Sequence, residues 1–293
     1  MNSTEKRSLI VIPVILLIAA GIAWVGSQDS VKVFGMPLFA FCVGLAFLIQ
    51  WIAFIPAYQN QTEKFYDLTG SITYFTVSII AVVLSPEPDM RSFVLLGLIL
   101  IWAGRLGTYL FTRIQADGED RRFREIKTSF SRFLLAWTLQ GLWVTFSLAA
   151  ALAAITSMER VGFGSFAYIG LFVWLIGFTI EAIADRQKSQ FRSEPKNKGR
   201  FINSGLWSWS RHPNYFGEII LWIGIAIIAF PLLSDWSYLT LISPIFTIIL
   251  LTRISGVPML EKRADEKWGG QEDYETYKSR TSVLIPFPPS KLK

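Results

Sequence analysis

The residues able to do chemistry fall in four short stretches of the chain. In the first, Gly177 to Asp185, the carboxylates of Glu181 and Asp185 stand four residues apart, which on a helix puts both on one face. Like charges at that spacing repel unless a cation or hydroxyl meets them. Arg186, Lys188 and Arg192 follow directly, so the stretch is either a salt-bridge cluster at a helix end or part of a binding site.

The second stretch, Trp207 to Glu218, holds Arg211, His212, Pro213, Asn214 and Glu218. Pro213 suits the first turn of a helix, and the free N–H groups after it form an anion site beside Arg211. Glu218, one turn further in, is within reach of a ribose hydroxyl or an amide. His212 taken singly reads more readily as a packing residue at the helix start than as a catalyst.

The third is the tail, with Arg253 and Glu261 and then Tyr277, Lys278 and Arg280. It offers phosphate-binding cations, or it is an interfacial amphipathic helix with snorkelling bases. The fourth, Gln59 to Ser71, contains Glu63, Tyr66 and Asp67. Asp67 or Thr69 could cap a helix there. Glu63, Tyr66 and Asp67 also make an acid group able to polarise a carbonyl, since a hydrogen-bonded carboxyl in an apolar pocket can keep its proton near neutral pH.

These stretches are positioned by apolar runs. Hydrophobic residues make up 52% of the 293 and charged ones 17%, and stretches of about twenty apolar residues, the length that crosses a bilayer as helix, recur throughout. A lipid-spanning chain without alternating ten-residue strands must be helical. The expected spans are 8–26, 35–56, 68–84, 92–112, 133–156, 163–184, 215–233 and 237–255, the third being the shortest and weakest. The fold class is therefore all-α, a polytopic membrane bundle of seven to eight helices. The first run follows Lys6 and Arg7 and lacks a small-residue cleavage site, so it reads as a retained anchor.

Charge orients the bundle. Of the 28 Lys and Arg residues, only Lys32, Arg91 and Arg160 fall in outside loops when the N-terminus is placed inside, and Arg105 lies within a span. This positive-inside pattern supports eight spans with both termini cytoplasmic. Much of the net charge of +6 needs no ligand beyond anionic lipid.

Several classes are excluded. With Cys42 and His212 as the sole residues of their types, neither a disulfide framework nor a zinc site can be built, and no metal is expected. No nucleic-acid module accompanies the basic charge. The one match to a dinucleotide fingerprint, Gly162 to Ala167, opens an outside helix end instead of following a strand.

The run Arg-His-Pro-Asn-Tyr-Phe-Gly-Glu at 211–218, with Glu181, Asp185 and Arg192 before it and the tail 278–287 after it, resembles the steroid 5α-reductase family. The blocks 63–71 and 118–123 look like bacterial members, and the resemblance covers roughly residues 50–288. The 211–218 run by itself is shared with isoprenylcysteine carboxyl methyltransferases and sterol C14-reductases. The expected organisation is an anchor helix and outside loop over 1–34 and a catalytic domain over 35–293.

The resemblance implies an integral membrane oxidoreductase, of the bacterial inner membrane, transferring hydride from NADPH to a 3-oxo-Δ4 steroid or similar enone that enters from the bilayer. It implies cofactor contacts from Asp185 and Arg192 near the adenosine phosphate, from Asn214 and Glu218 near the nicotinamide, and from Arg253. Arg211, Lys278 and Arg280 are added as phosphate candidates on charge, and His212 as part of the run. Glu63 falls where the family has the glutamate that hydrogen-bonds the substrate carbonyl. Two departures stand out: Trp102 occupies the place of the family's partner tyrosine, leaving Tyr66, Tyr74 or Tyr109 as substitutes, and Glu181 stands for an asparagine near the adenine. The alternative of another class is a membrane methyltransferase using S-adenosylmethionine.

Overall fold

The computed structural model describes residues 3–288 and is almost wholly helical. Eight helical segments are long and apolar enough to cross a membrane, so the chain is an all-α polytopic membrane protein. Its helices are α1 (Ser3–Gly26), α2 (Leu38–Gln59), α3 (Tyr66–Leu84), α4 (Met90–Asp117), α5 (Phe130–Thr156), α6 (Ser165–Ser193), α7 (Pro213–Ala229), α8 (Ile242–Ile249), α9 (Val257–Trp268) and α10 (Glu272–Arg280). The third span is the shortest, at 19 residues. Lys291 and Lys293, counted above among the basic residues, lie outside the described residues, as does the side chain of Arg121.

The chain divides into two compact units, Met1–Ala167 with Ile228–Ser243, and Tyr168–Ile227 with Pro244–Lys293. In the first, α5 is the central helix, packed by α1, α2 and α3. From Leu148 to Ile155 it is buried on every side, and five of those eight residues are alanines, small enough for neighbouring helices to close on it. Polar pairs fix the packing: Gln50 Nε2 donates to Thr73 Oγ1 at 2.8 Å and Trp51 Nε1 to Thr138 Oγ1 at 3.2 Å.

α4 shows both terminal signals. The Asp89 carboxylate accepts from the Ser92 N–H at 2.9 Å, and Gly118, at φ 80°, ends the helix with its N–H on the Ile114 carbonyl. α3 departs from expectation: its N-cap is Phe65, without a side-chain cap, so Asp67 and Thr69 lie inside the first turn. Thr69 Oγ1 donates back to the Phe65 carbonyl at 2.7 Å.

Two of the three basic residues expected outside serve the backbone. Buried Arg91 donates to the carbonyls of Ile228 and Gly162 at 2.5 and 2.8 Å, and Arg160 to those of Glu87 and Ser157. The third, Lys32, begins an unexpected antiparallel pair, Lys32–Val33 (β1) with Met36–Pro37 (β2), turned by Phe34 and Gly35 at φ 53° and 80°.

The last crossing is not one α-helix. A 3-10 stretch, Asp235–Leu241, precedes α8, and a π-helical turn, Leu250–Ile254, follows it. Pro244 has no N–H for the Thr240 carbonyl, so α-helical bonding cannot run through that turn.

In the second unit α6 and α7 touch backbone to backbone. A Cβ added at Gly177 would lie 2.4 Å from the Leu221 nitrogen, and one at Gly217 would lie 2.6 Å from the Glu181 nitrogen. Glycine at these two places permits the approach.

Candidate functional site

In the first unit the polar focus is Glu63, in the turn between α2 and α3. Gln61 turns the chain at φ 49°, and the Thr62 N–H closes on the Ala57 carbonyl at 2.9 Å. Glu63 is 4% exposed. Its two oxygens accept from the segment that follows α4: Oε1 from the Asp120 N–H at 2.9 Å, Oε2 from Lys127 Nζ at 2.7 Å. Lys127 was not anticipated as a site residue. It lies 64 positions away, and nothing local in the sequence distinguishes it from the other basic residues of its loop.

That loop is folded by its own contacts. Phe123 packs into a cluster with Phe54, Ala57, Phe133 and Trp137. The Asp120 carboxylate takes Arg122 Nε at 2.8 Å, and Arg113 stands 3.9 Å from Asp67. Burial pushes the Asp120 carboxyl up, but the hydrogen bonds and charge of Arg122 outweigh it and hold it below the usual range. Burial likewise works against the Arg122 charge, and Asp120 more than restores it.

Tyr66 belongs to this packing. Its ring sits 4.7 Å from Phe123 and 5.1 Å from Trp137, and its hydroxyl donates to the Ala136 carbonyl at 2.8 Å. The one proton it could offer a substrate is therefore engaged. Trp102 is buried, with Tyr74 edge-on to it at 5.1 Å.

In the second unit, Glu181 and Asp185 share a face of α6 as their spacing requires. Both are buried, at 2% and 5% exposure, whereas Ile183 between them is 44% exposed. The contact of Gly217 with Glu181 brings the start of α7 against this acidic face. α7 begins at Pro213, as expected, with Asn214 and Glu218 half-buried in its first two turns.

Arg211 and His212 do structural work. Arg211 Nη2 meets Glu261 Oε2 at 2.7 Å, Nη1 donates to the Lys278 carbonyl at 2.6 Å, and its N–H donates to the Ser282 carbonyl at 2.8 Å. His212 Nε2 lies 2.8 Å from Glu261 Oε1, its ring stacks on Tyr215, and Nδ1 is buried with no partner among the described residues. Burial lowers the His212 pKa against the opposing pull of Glu261, so the ring is neutral, Nε2 carries the proton and Nδ1 is a bare acceptor.

The tail is stitched on by further bonds. Tyr277 donates its hydroxyl proton to the Trp207 carbonyl at 2.6 Å, while Lys278 Nζ and the Tyr274 hydroxyl both reach Asp265. Burial raises the Tyr277 and Tyr274 pKa values, with Asp265 adding to the effect at Tyr274. Arg211 and Lys278, expected above as phosphate candidates on charge, each meet a carboxylate of α9, Glu261 and Asp265 respectively. Neither pairing was anticipated: Glu261 lies 50 positions from Arg211, and Asp265, 13 positions from Lys278, stands on a different helix.

Arg192, in the last turn of α6, and Arg253, in the π-helical turn, are exposed and pair with no carboxylate among the described residues. A π-turn of this kind often accompanies a functional site. Gly256, just after it, packs against the Tyr215 ring. Arg280 is half-buried at the end of α10. A groove of about 440 Å³ between Ile183, Gln187, Leu206 and Trp209 is lined by none of the expected cofactor residues.

The chain is 29% identical over 119 residues to rat 3-oxo-5-alpha-steroid 4-dehydrogenase 1 (Rattus norvegicus), a stretch covering 40% of each protein. It is 27% identical over 121 residues to steroid 5-alpha-reductase DET2 of Arabidopsis thaliana, covering 41% of this chain and 40% of that protein. A probable O-methyltransferase, ustE of Ustilaginoidea virens, is 29% identical over 107 residues, 31% of this chain and 38% of that protein. The chain thus spans about two fifths of the length of the curated relatives it matches. No solved structure matches it. The family model described as "Protein of unknown function (DUF1295)" matches residues 53–281, and the chain belongs to that family, with a family-level relationship to the steroid 5α-reductases.

Proposed function

We propose that the protein is an NADPH-dependent reductase of lipophilic enones, with a 3-oxo-Δ4 steroid as the model substrate. The observation that carries this reading is the burial of Glu63 at a membrane boundary, where an ionisable group is costly and is kept for a purpose. The partial identity to two steroid reductases supports the reaction class.

The residues fit the cofactor. Arg192 and Arg253, exposed and paired with no carboxylate among the described residues, are cations suited to phosphates, Glu181, Asp185 and Glu218 are acceptors for ribose or adenine donors, and His212 Nδ1 is a buried acceptor for an amide N–H. When bound, NADPH supplies the hydride. Arg211, His212 and Lys278 act as positioning residues, holding the tail on the 207–218 run.

At the substrate, the Glu63–Lys127 pair presents a proton to the carbonyl oxygen. Conjugation passes the resulting polarisation to the β-carbon, which receives the hydride; the charge then spreads over the carbonyl oxygen and the α-carbon, where the hydrogen bond stabilises it, and a proton from water added to the α-carbon completes the saturated product. Tyr66 orders the aromatic wall under this turn instead of donating to the substrate. The substrate enters from the lipid and the cofactor from the basic side, which we take as cytoplasmic.

The methyltransferase reading has one observation in its favour, the short match to ustE. One assay separates the two: purified protein with progesterone and either NADPH or S-adenosylmethionine, with products identified by mass. A product two mass units heavier, formed with NADPH alone, supports reduction. A methylated product, or no turnover and no NADPH binding across several enones, refutes it.

A further inference from the structure

The proposed chemistry makes no use of α1, yet α1 and α5 build a site of their own. A groove of about 290 Å³ is lined by Thr4, Arg7, Ser8 and Val11 from α1 and by Arg132, Leu135, Ala136 and Leu139 from α5, with Ile126 beside them. On each helix these residues stand at i, i+3, i+4 and i+7, one continuous stripe. Both helices start at the same end of the unit. Arg7 and Arg132 therefore lie toward that end, while Val11 and Leu139 lie deeper along the groove.

The cations are available. Each guanidinium has five N–H donors. Among the described residues Arg132 spends one, on the Glu125 carbonyl at 3.4 Å, and neither arginine pairs with a carboxylate. Glu5 is not in the groove and accepts from Ser129 Oγ at 3.0 Å. The surroundings are apolar: Ile10 and Leu17 of α1 are 69% and 72% exposed, and Leu139 is 45% exposed. An occupant must carry negative charge at one end and hydrocarbon at the other.

We propose that this groove binds an anionic phospholipid, with the phosphate on Arg7 and Arg132 and an acyl chain along Val11, Leu135 and Leu139. Such a lipid would cement the first helix to the central one.

The test uses the full chain in neutral detergent with a fluorescent short-chain phosphatidylglycerol, competed by unlabelled phosphatidylglycerol, phosphatidylcholine or inorganic phosphate. Phosphatidylglycerol should compete at roughly tenfold lower concentration than phosphatidylcholine, and millimolar-range phosphate should not compete. Arg7→Gln/Arg132→Gln should weaken phosphatidylglycerol binding roughly tenfold and leave phosphatidylcholine unchanged, while Arg263→Gln, an exposed cation elsewhere, has no effect. Should the double variant fail to fold, Arg7→Gln on the exposed face of α1 should remove part of the preference and part of the rise in Tm that phosphatidylglycerol gives the parent protein. Equal competition by the two lipids overturns the proposal. So does competition by phosphate as effective as that by lipid, an equal loss in Arg263→Gln, or retention of the full preference in the arginine variants.

Discussion

The Lys127 ammonium meets Glu63 Oε2 at 2.7 Å, tying the segment after α4 to the turn between α2 and α3. The Glu63 side chain is 2% exposed and that of Lys127 21%, so the two partners are not equivalent. Removing the cation strands a buried carboxylate, whereas removing the carboxylate leaves a lysine that can turn to water. Lys127→Met should therefore destabilise the fold by about 3 kcal/mol and Glu63→Gln by about 1 kcal/mol, read from denaturant unfolding in detergent. Equal losses in the two variants would contradict this asymmetry.

The same residues should separate chemistry from cofactor binding. Glu63→Gln keeps an acceptor for the Asp120 N–H but removes the carboxylate that holds the Lys127 ammonium in place to donate to a carbonyl, so turnover should fall about 100-fold while NADPH affinity stays within about twofold. Steady-state kinetics and NADPH fluorescence check the two halves. Turnover unchanged by this substitution would remove Glu63 from the reaction.

Arginines that look alike in sequence should behave differently. Arg211→Ala strips Glu261 of its guanidinium and the tail of its carbonyl anchor, and should cost about 3 kcal/mol of stability. Arg192→Ala and Arg253→Ala should leave the unfolding midpoint in place and raise KM for NADPH about tenfold each. An unchanged KM in both would show that the cofactor phosphates lie elsewhere.

Stability should also report on His212. Its folded pKa is lowered below the ordinary 6.5 by burial, so below that pH the unfolded chain binds more protons than the folded one. The stability contributed by the neutral ring is complete above pH 6.5 and is lost as pH falls through the lowered pKa. Unfolding free energies between pH 7.5 and pH 5 should decline, and His212→Asn should flatten the decline. Stability that rises on acidification, with the rise removed in His212→Asn, would reverse the assignment.

Glycine substitutions test the α6–α7 contact. Gly177→Ala puts a methyl 2.4 Å from the Leu221 nitrogen, with backbone that cannot swing aside, and should cost about 2 kcal/mol. Gly97→Ala on α4 meets nothing within 4 Å and should be neutral or stabilise by up to about 1 kcal/mol. Similar midpoints for the two variants would argue against the close approach.

The architecture was legible because a bilayer sets a length that any spanning helix must meet, and eight apolar runs meet it. The spacing of Glu181 and Asp185 likewise passed directly into a shared buried face. What could not be read were long-range choices of partner. Arg211 and Arg192 are the same residue type in the same basic setting, but one finds Glu261 fifty positions away and the other finds no carboxylate among the described residues. Tyr66 looked like a donor because its hydroxyl is polar; that the Ala136 carbonyl would claim the proton depends on how α3 packs against α5. The broken last span was visible only as Pro244, whose consequence depends on where the helix starts.

The most direct measurement follows the hydride itself. Purified protein would be given progesterone and NADPH deuterated at the transferring position of its nicotinamide, and the steroid product analysed by mass spectrometry and NMR. The expected result is a saturated product carrying one deuterium on the former β-carbon of the enone, with Glu63→Gln forming about 100-fold less of it. A steroid recovered unlabelled, or modified without consumption of NADPH, would contradict the assignment of this membrane protein as an enone reductase.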